Sequence, residues 1–79
     1  MEKYIKIIEE LRSIDGLEKA FNAKYDDYTD SVLLTFYDIE TFEKLDNYKS
    51  ILWYNFDYTC YLNDVNYEVK SYGEIELYF

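Results

Sequence analysis

Histidine is absent from the 79 residues. With it go the commonest general base, the Ser-His and Cys-His nucleophile pairs, and the commonest metal ligand. Cysteine occurs once, as Cys60, so an intrachain disulfide is impossible and a structural zinc site lacks its ligand set. A lone cysteine in an apolar run reads as a small buried hydrophobe. Proline is missing and glycine occurs only twice. No glycine-rich phosphate loop or dinucleotide fingerprint is present, and turns must rely largely on Asn, Asp and Ser. Positive charge is scarce: 8 Lys and Arg stand against 17 Asp and Glu, a formal charge of −9. Direct binding to nucleic acid or to an anionic membrane surface needs the opposite sign. The opening residues, MEKYIKIIEE, carry charges throughout, which argues against a signal peptide or a membrane span and makes the cytoplasm the expected location. The expectation from these absences is a protein that is not an enzyme and carries no cofactor.

What the chain has in abundance is tyrosine. Aromatics make up 22% of it, with 11 Tyr, 5 Phe and 1 Trp. The length fits one domain spanning residues 1–79, and a chain of this size buries roughly 60% of the surface its unfolded form exposes. That is enough for one modest core built on large rings, with little room for an enclosed active site. High aromatic content and clear periodicity distinguish it from a disordered acidic tail.

Residues 2–14 read as an amphipathic helix, with Tyr4, Ile5, Ile7, Ile8, Leu11 and Ile14 on one side, ended by Asp15-Gly16. Residues 19–37 read as a hairpin that turns at 26–30. Phe21, Ala23 and Tyr25 face the core on one strand, and Val32, Leu34 and Phe36 on the other. A helix through LEKAFNAKY is the rival for the first of these strands. Asp38 suits the N-cap of a short helix running to about Asn47, with Ile39, Phe42, Leu45 and Tyr48 inward.

From Leu52 to Leu62 the apolar residues alternate, which predicts a strand whose inner face is Leu52, Tyr54, Phe56, Tyr58, Cys60 and Leu62. Asn63-Asp64 reads as a hairpin turn and Ser71-Tyr72-Gly73 as a second loop. The resulting meander pairs Cys60 with Tyr67, Tyr67 with Leu77 and Val69 with Ile75. On its other face it sets Asp57 opposite Lys70, Lys70 opposite Glu74, Thr59 opposite Glu68, and Glu68 opposite Glu76. The expected architecture is therefore α+β. An antiparallel sheet of about five strands, in the order α-β-β-α-β-β-β, carries the N-terminal helix and a short second helix on one face. The last strand is expected at a sheet edge.

Two acidic patterns resemble catalytic ones. Asp26, Asp27 and Asp30 spell D-D-x-x-D, and Glu68 with Glu76 could imitate a paired-carboxylate site. Both read instead as surface charge, the first in a loop and the second on an open sheet face. The acids Asp26, Asp27, Asp30, Asp38, Glu40, Glu43 and Asp46, joined by Glu68, Glu74 and Glu76, could form an extended negative surface with Tyr28, Tyr61 and Tyr78 interleaved. Such a surface is steered toward a basic groove and competes there with phosphate.

In size and charge the chain resembles phage DNA-mimic proteins and small anti-CRISPR proteins. The resemblance is compositional and assigns no residue roles. It implies a stoichiometric inhibitor that occludes the nucleic-acid channel of a Cas effector or similar nuclease. An immunity protein or antitoxin against a basic nuclease toxin fits the same charge pattern, as does a structural module whose acidity serves solubility. The sequence leaves the oligomeric state open.

Overall fold

The computed structural model describes residues 2–79. The described elements are α1 (Glu2–Arg12), β1 (Phe21–Asp26), β2 (Ser31–Phe36), α2 (Ile39–Leu45), α3 (Ile51–Leu62), β3 (Asn66–Ser71) and β4 (Glu74–Tyr78). The class is α+β as expected. The strands form one antiparallel sheet in the order β1-β2-β4-β3. It has four strands rather than about five, because the segment read as the first strand of the terminal meander is helix α3. The last strand is also not an edge: β4 lies between β2 and β3, and β1 and β3 are the edges.

Helix α3 shows why the alternation misled. Leu52, Phe56 and Cys60 are four residues apart, a spacing that keeps them on one face in a strand and in a helix alike. They are the members of the series that turn inward, with Phe56 and Cys60 each 1% exposed. Tyr54, Tyr58 and Leu62, which only a strand would bury, are exposed. Ser50 decides the outcome locally. Its Oγ accepts a hydrogen bond from the Trp53 amide at 2.9 Å, satisfying a donor that the first helical turn leaves free. Asn63-Asp64 does supply a positive φ, but in a helix cap instead of a hairpin. Asp64 (φ 55) follows the C-cap Asn63, while the Asp64 and Val65 amides bond back to the Tyr61 and Cys60 carbonyls. The proposed pairing of Cys60 with Tyr67, and of Asp57 and Thr59 with Lys70 and Glu68, therefore does not occur.

The remaining expectations hold closely. Helix α1 ends at Arg12, and Gly16 takes φ 96 in the turn that follows. Ile7 and Leu11 are buried, although Ile5 is half exposed. Residues 21–26 form a strand and not a helix, and β1 and β2 pair Phe21 with Phe36, Ala23 with Leu34 and Tyr25 with Val32. Asp38 caps α2, its Oδ1 accepting from the Glu40 amide at 3.1 Å. Phe42 and Leu45 point inward, while Ile39 and Tyr48 do not. β3 and β4 pair Tyr67 with Leu77, Glu68 with Glu76 and Val69 with Ile75 as read, but a bulge at Lys70 shifts Glu74 opposite Ser71.

All three helices cover one face of the sheet. Phe21, Val32, Leu34, Phe36, Ile75 and Leu77 meet Ile7, Leu11, Phe42, Leu45 and Phe56 there in one core. Phe56 sits edge-on to Tyr67 with ring centres 5.1 Å apart. Among the described residues no helix lies on the opposite face of the sheet. Among the described residues no helix is long and apolar enough to cross a membrane.

Candidate functional site

The uncovered face is organised in rows that run across the sheet. Register places Lys24, Leu33, Glu76 and Glu68 in one row, and Asp26, Ser31, Tyr78 and Asn66 in the next. Asn22, Thr35, Glu74 and Ser71 form a third. Alternation sends these side chains to one side while Tyr25, Val32, Leu77 and Tyr67 enter the core on the other.

Glu76 is the hub of this face. Its side chain is only 16% exposed, against 57% for Glu68. Ser31, itself 1% exposed, donates to Glu76 Oε2 at 2.7 Å. That uses Ser31's one proton, so Thr29 is the donor in the 2.6 Å contact between the two hydroxyls. The other oxygen, Oε1, lies 2.8 Å from the Tyr78 hydroxyl and 3.2 Å from Lys70 Nζ. Tyr78 and Lys70 also reach Glu68, at 2.7 and 3.6 Å. Two facing carboxylates are thus held together by a shared phenol and a shared ammonium.

The ionisation of Glu76, Tyr78 and Lys70 follows from their neighbours. Hydrogen bonds from Ser31 and then Tyr78 hold the Glu76 carboxyl below its ordinary value. Chiefly the hydrogen bond to Glu68, with burial next, pushes the Tyr78 phenol up to about 12. Lys70 is raised, first by its contact with Glu76. At neutral pH Glu76 is therefore a carboxylate, Lys70 an ammonium and Tyr78 a neutral phenol.

The β1–β2 turn rises beside this face. The aspartates of D-D-x-x-D shape that turn: Asp26 Oδ1 accepts from the Tyr28 amide and Asp30 Oδ1 from the Tyr25 hydroxyl, each at 3.0 Å. Asp30 takes φ 50, a conformation that aspartate tolerates. Among the described residues no three acidic or cysteine side chains converge as a metal would require. Asp26 and Asp27 join Lys24, Ser31, Lys70, Glu74 and Glu76 around one open concavity of about 480 Å³.

The thirteen residues expected to bind a partner fall into separate groups. Asp26, Asp27, Asp30, Glu68, Glu74, Glu76, Tyr28 and Tyr78 belong to the open face and its bordering turn. Asp38, Glu40, Glu43 and Asp46 lie at the other end of the sheet, in or beside α2, where Glu43 accepts a 2.8 Å hydrogen bond from Tyr72. β2 separates that end from the turn by six residues, roughly 20 Å of strand. Tyr61 is on α3, on the helical side. Glu74, opposite Thr35, is the open-face acid nearest the α2 end. Sequence reasoning also missed Lys24, Ser31 and Leu33, and it set Lys70 opposite Glu74 where the structure sets it beside Glu76 and Glu68. Hairpin alternation puts Lys24 and Leu33 on the outer face, but only the pairing of β2 with β4 brings Ser31 to Glu76. Comparison with family models, curated proteins and solved structures gave no match for this chain.

Proposed function

We propose that the chain is a stoichiometric inhibitor that sets the open face of its sheet, with the β1–β2 turn, into the basic nucleic-acid groove of a nuclease or Cas effector. The observation that supports this most is the placement of Glu74, Glu76, Asp26 and Asp27 around one uncovered concavity, with Glu68 cross-strand from Glu76. Carboxylates locked by hydrogen bonds lose little freedom when they meet Lys and Arg side chains, which favours them over mobile surface acids. Leu33 and Tyr78 add contact area among them. The reading needs no catalysis and no cofactor. The α2 acids contribute long-range attraction and no contacts.

The test is capture of the partner from host lysate at low and at high salt, with wild-type protein and two charge-reversed variants. Asp27→Lys with Glu68→Lys and Glu74→Lys should abolish capture of a basic nuclease or Cas protein. Asp38→Lys with Glu43→Lys and Asp46→Lys should weaken it only modestly. Wild-type capture should fall steeply as salt screens the charges. Equal capture by all three proteins, or binding indifferent to salt, would sink the proposal. A captured toxin nuclease would instead identify the immunity role on the same surface.

A further inference from the structure

Helix α3 is apolar around most of its circumference, yet only one side of it is covered. Leu52, Phe56 and Cys60 pack inward. On the far side Ile51 (80% exposed), Tyr54 (62%), Tyr58 (51%), Tyr61 (77%) and Leu62 (61%) stand in solvent. With 3.6 residues per turn they occupy one stripe roughly 100° wide. The one charged residue of the helix, Asp57, lies outside this stripe and accepts a 2.7 Å hydrogen bond from Tyr67. A protein of charge −9 thus has a helix-long strip with no charge on it.

We infer that this strip is the docking surface for a second copy of the chain, helix against antiparallel helix about a two-fold axis. The spacing is the first reason. Ile51, Tyr54, Tyr58 and Tyr61 are separated by three, four and three residues, which reads the same in both directions. An antiparallel copy therefore sets Tyr54 on Tyr58 and Ile51 on Tyr61, the self-complementarity that a two-fold contact requires. The second reason is charge. Two strongly acidic copies meeting through the sheet face, the turn or α2 would oppose carboxylates, whereas here they oppose none. The third is area. These three tyrosines expose roughly 300–500 Å² at ~150–250 Å² per ring, before Ile51 and Leu62 are added. A standard interface buries about 800 Å² per partner. Finally, Tyr54 and Tyr58 are already stacked, rings 6° from parallel and 6.3 Å apart, so the centre of the strip is ordered in advance. Because the strip lies on the helical side, the dimer leaves both open sheet faces free.

Sedimentation equilibrium of the full chain over a wide concentration range tests this. The mass should climb from 9.7 kDa toward twice that value. Tyr54→Lys and Tyr58→Glu, each at an exposed position, should weaken self-association at least about tenfold, the effect of losing one interface anchor. Circular dichroism should show both variants folded. The double variant should recover association, because each new Lys then faces the partner's new Glu. A wild-type chain that stays monomeric, single variants that associate like wild type, or a double variant no better than the singles would overturn the inference. Charge reversal on the open sheet face should leave the mass unchanged, so failure here and failure of the inhibitor reading are separate results.

Discussion

The Tyr78 hydroxyl stands between Glu68 and Glu76, 2.7 Å from one carboxylate and 2.8 Å from the other. The two glutamates are direct cross-strand partners. Like charges so placed repel. One phenolic proton shared between them, with Lys70 alongside, turns that repulsion into a closed network. The bulge at Lys70 belongs to the same solution, since it sets an unpaired residue beside the carboxylates.

Tyr78 should ionise at about 12, because its phenolate would face two carboxylates. The folded value lies above the ordinary 10.0, so the stabilisation is complete below pH 10 and is lost as pH rises through about 12. Ultraviolet difference titration of wild type against Tyr78→Phe should isolate that component. Alkaline denaturation of Tyr78→Phe should fall off less steeply across the same window.

Ser31→Ala removes the buried donor to Glu76 and should cost about 1–3 kcal/mol at neutral pH. It should also change the acid limb. Glu76 is held below its ordinary 4.5, so its contribution is present above that pH and disappears as pH falls through the depressed folded value. Urea melts at neutral and acid pH should show wild type losing more stability on acidification than Ser31→Ala.

Ser50→Ala should destabilise the protein by about 1 kcal/mol, the usual cost of an N-cap. A serine preceding a strand would have no such effect. Chemical denaturation read by circular dichroism measures the difference.

Phe56→Ala and Tyr54→Ala separate the helix from the strand that alternation suggests. In a strand both rings would share the core face. In α3 Phe56 is 1% exposed and Tyr54 62%. Phe56→Ala should cost about 3–5 kcal/mol. Tyr54→Ala, measured at high dilution, should stay within about 0.5 kcal/mol of wild type.

The β1–β2 hairpin, the N-cap of α2 and the β3–β4 register were legible because each rests on contacts close in sequence. Phe21 to Phe36 alternates cleanly, Asp38 lies beside the amides it caps, and Tyr72-Gly73 joins adjacent strands. Residues 52–62 were not legible from alternation, since Leu52, Phe56 and Cys60 satisfy both periods and tyrosine tolerates either environment. Ser50 and the twelve-residue length of the apolar run were the signals available. The candidate site was half legible. Glu68, Glu76 and Tyr78 came from the local register, but Ser31 lies 45 residues from Glu76 and no spacing rule connects them.

By itself, then, the sequence determined the class of fold, the turns within the β1–β2 and β3–β4 hairpins, the scarcity of catalytic groups and the surplus of acid. Those depend on composition and on neighbours a few residues apart. The tertiary structure decided that β4 runs beside β2 and that Ser31 thereby meets Glu76 on the open face. The physical reason is that strand order is set by how helices and sheet jointly bury Phe21, Phe42 and Phe56. No residue carries that choice in its local pattern.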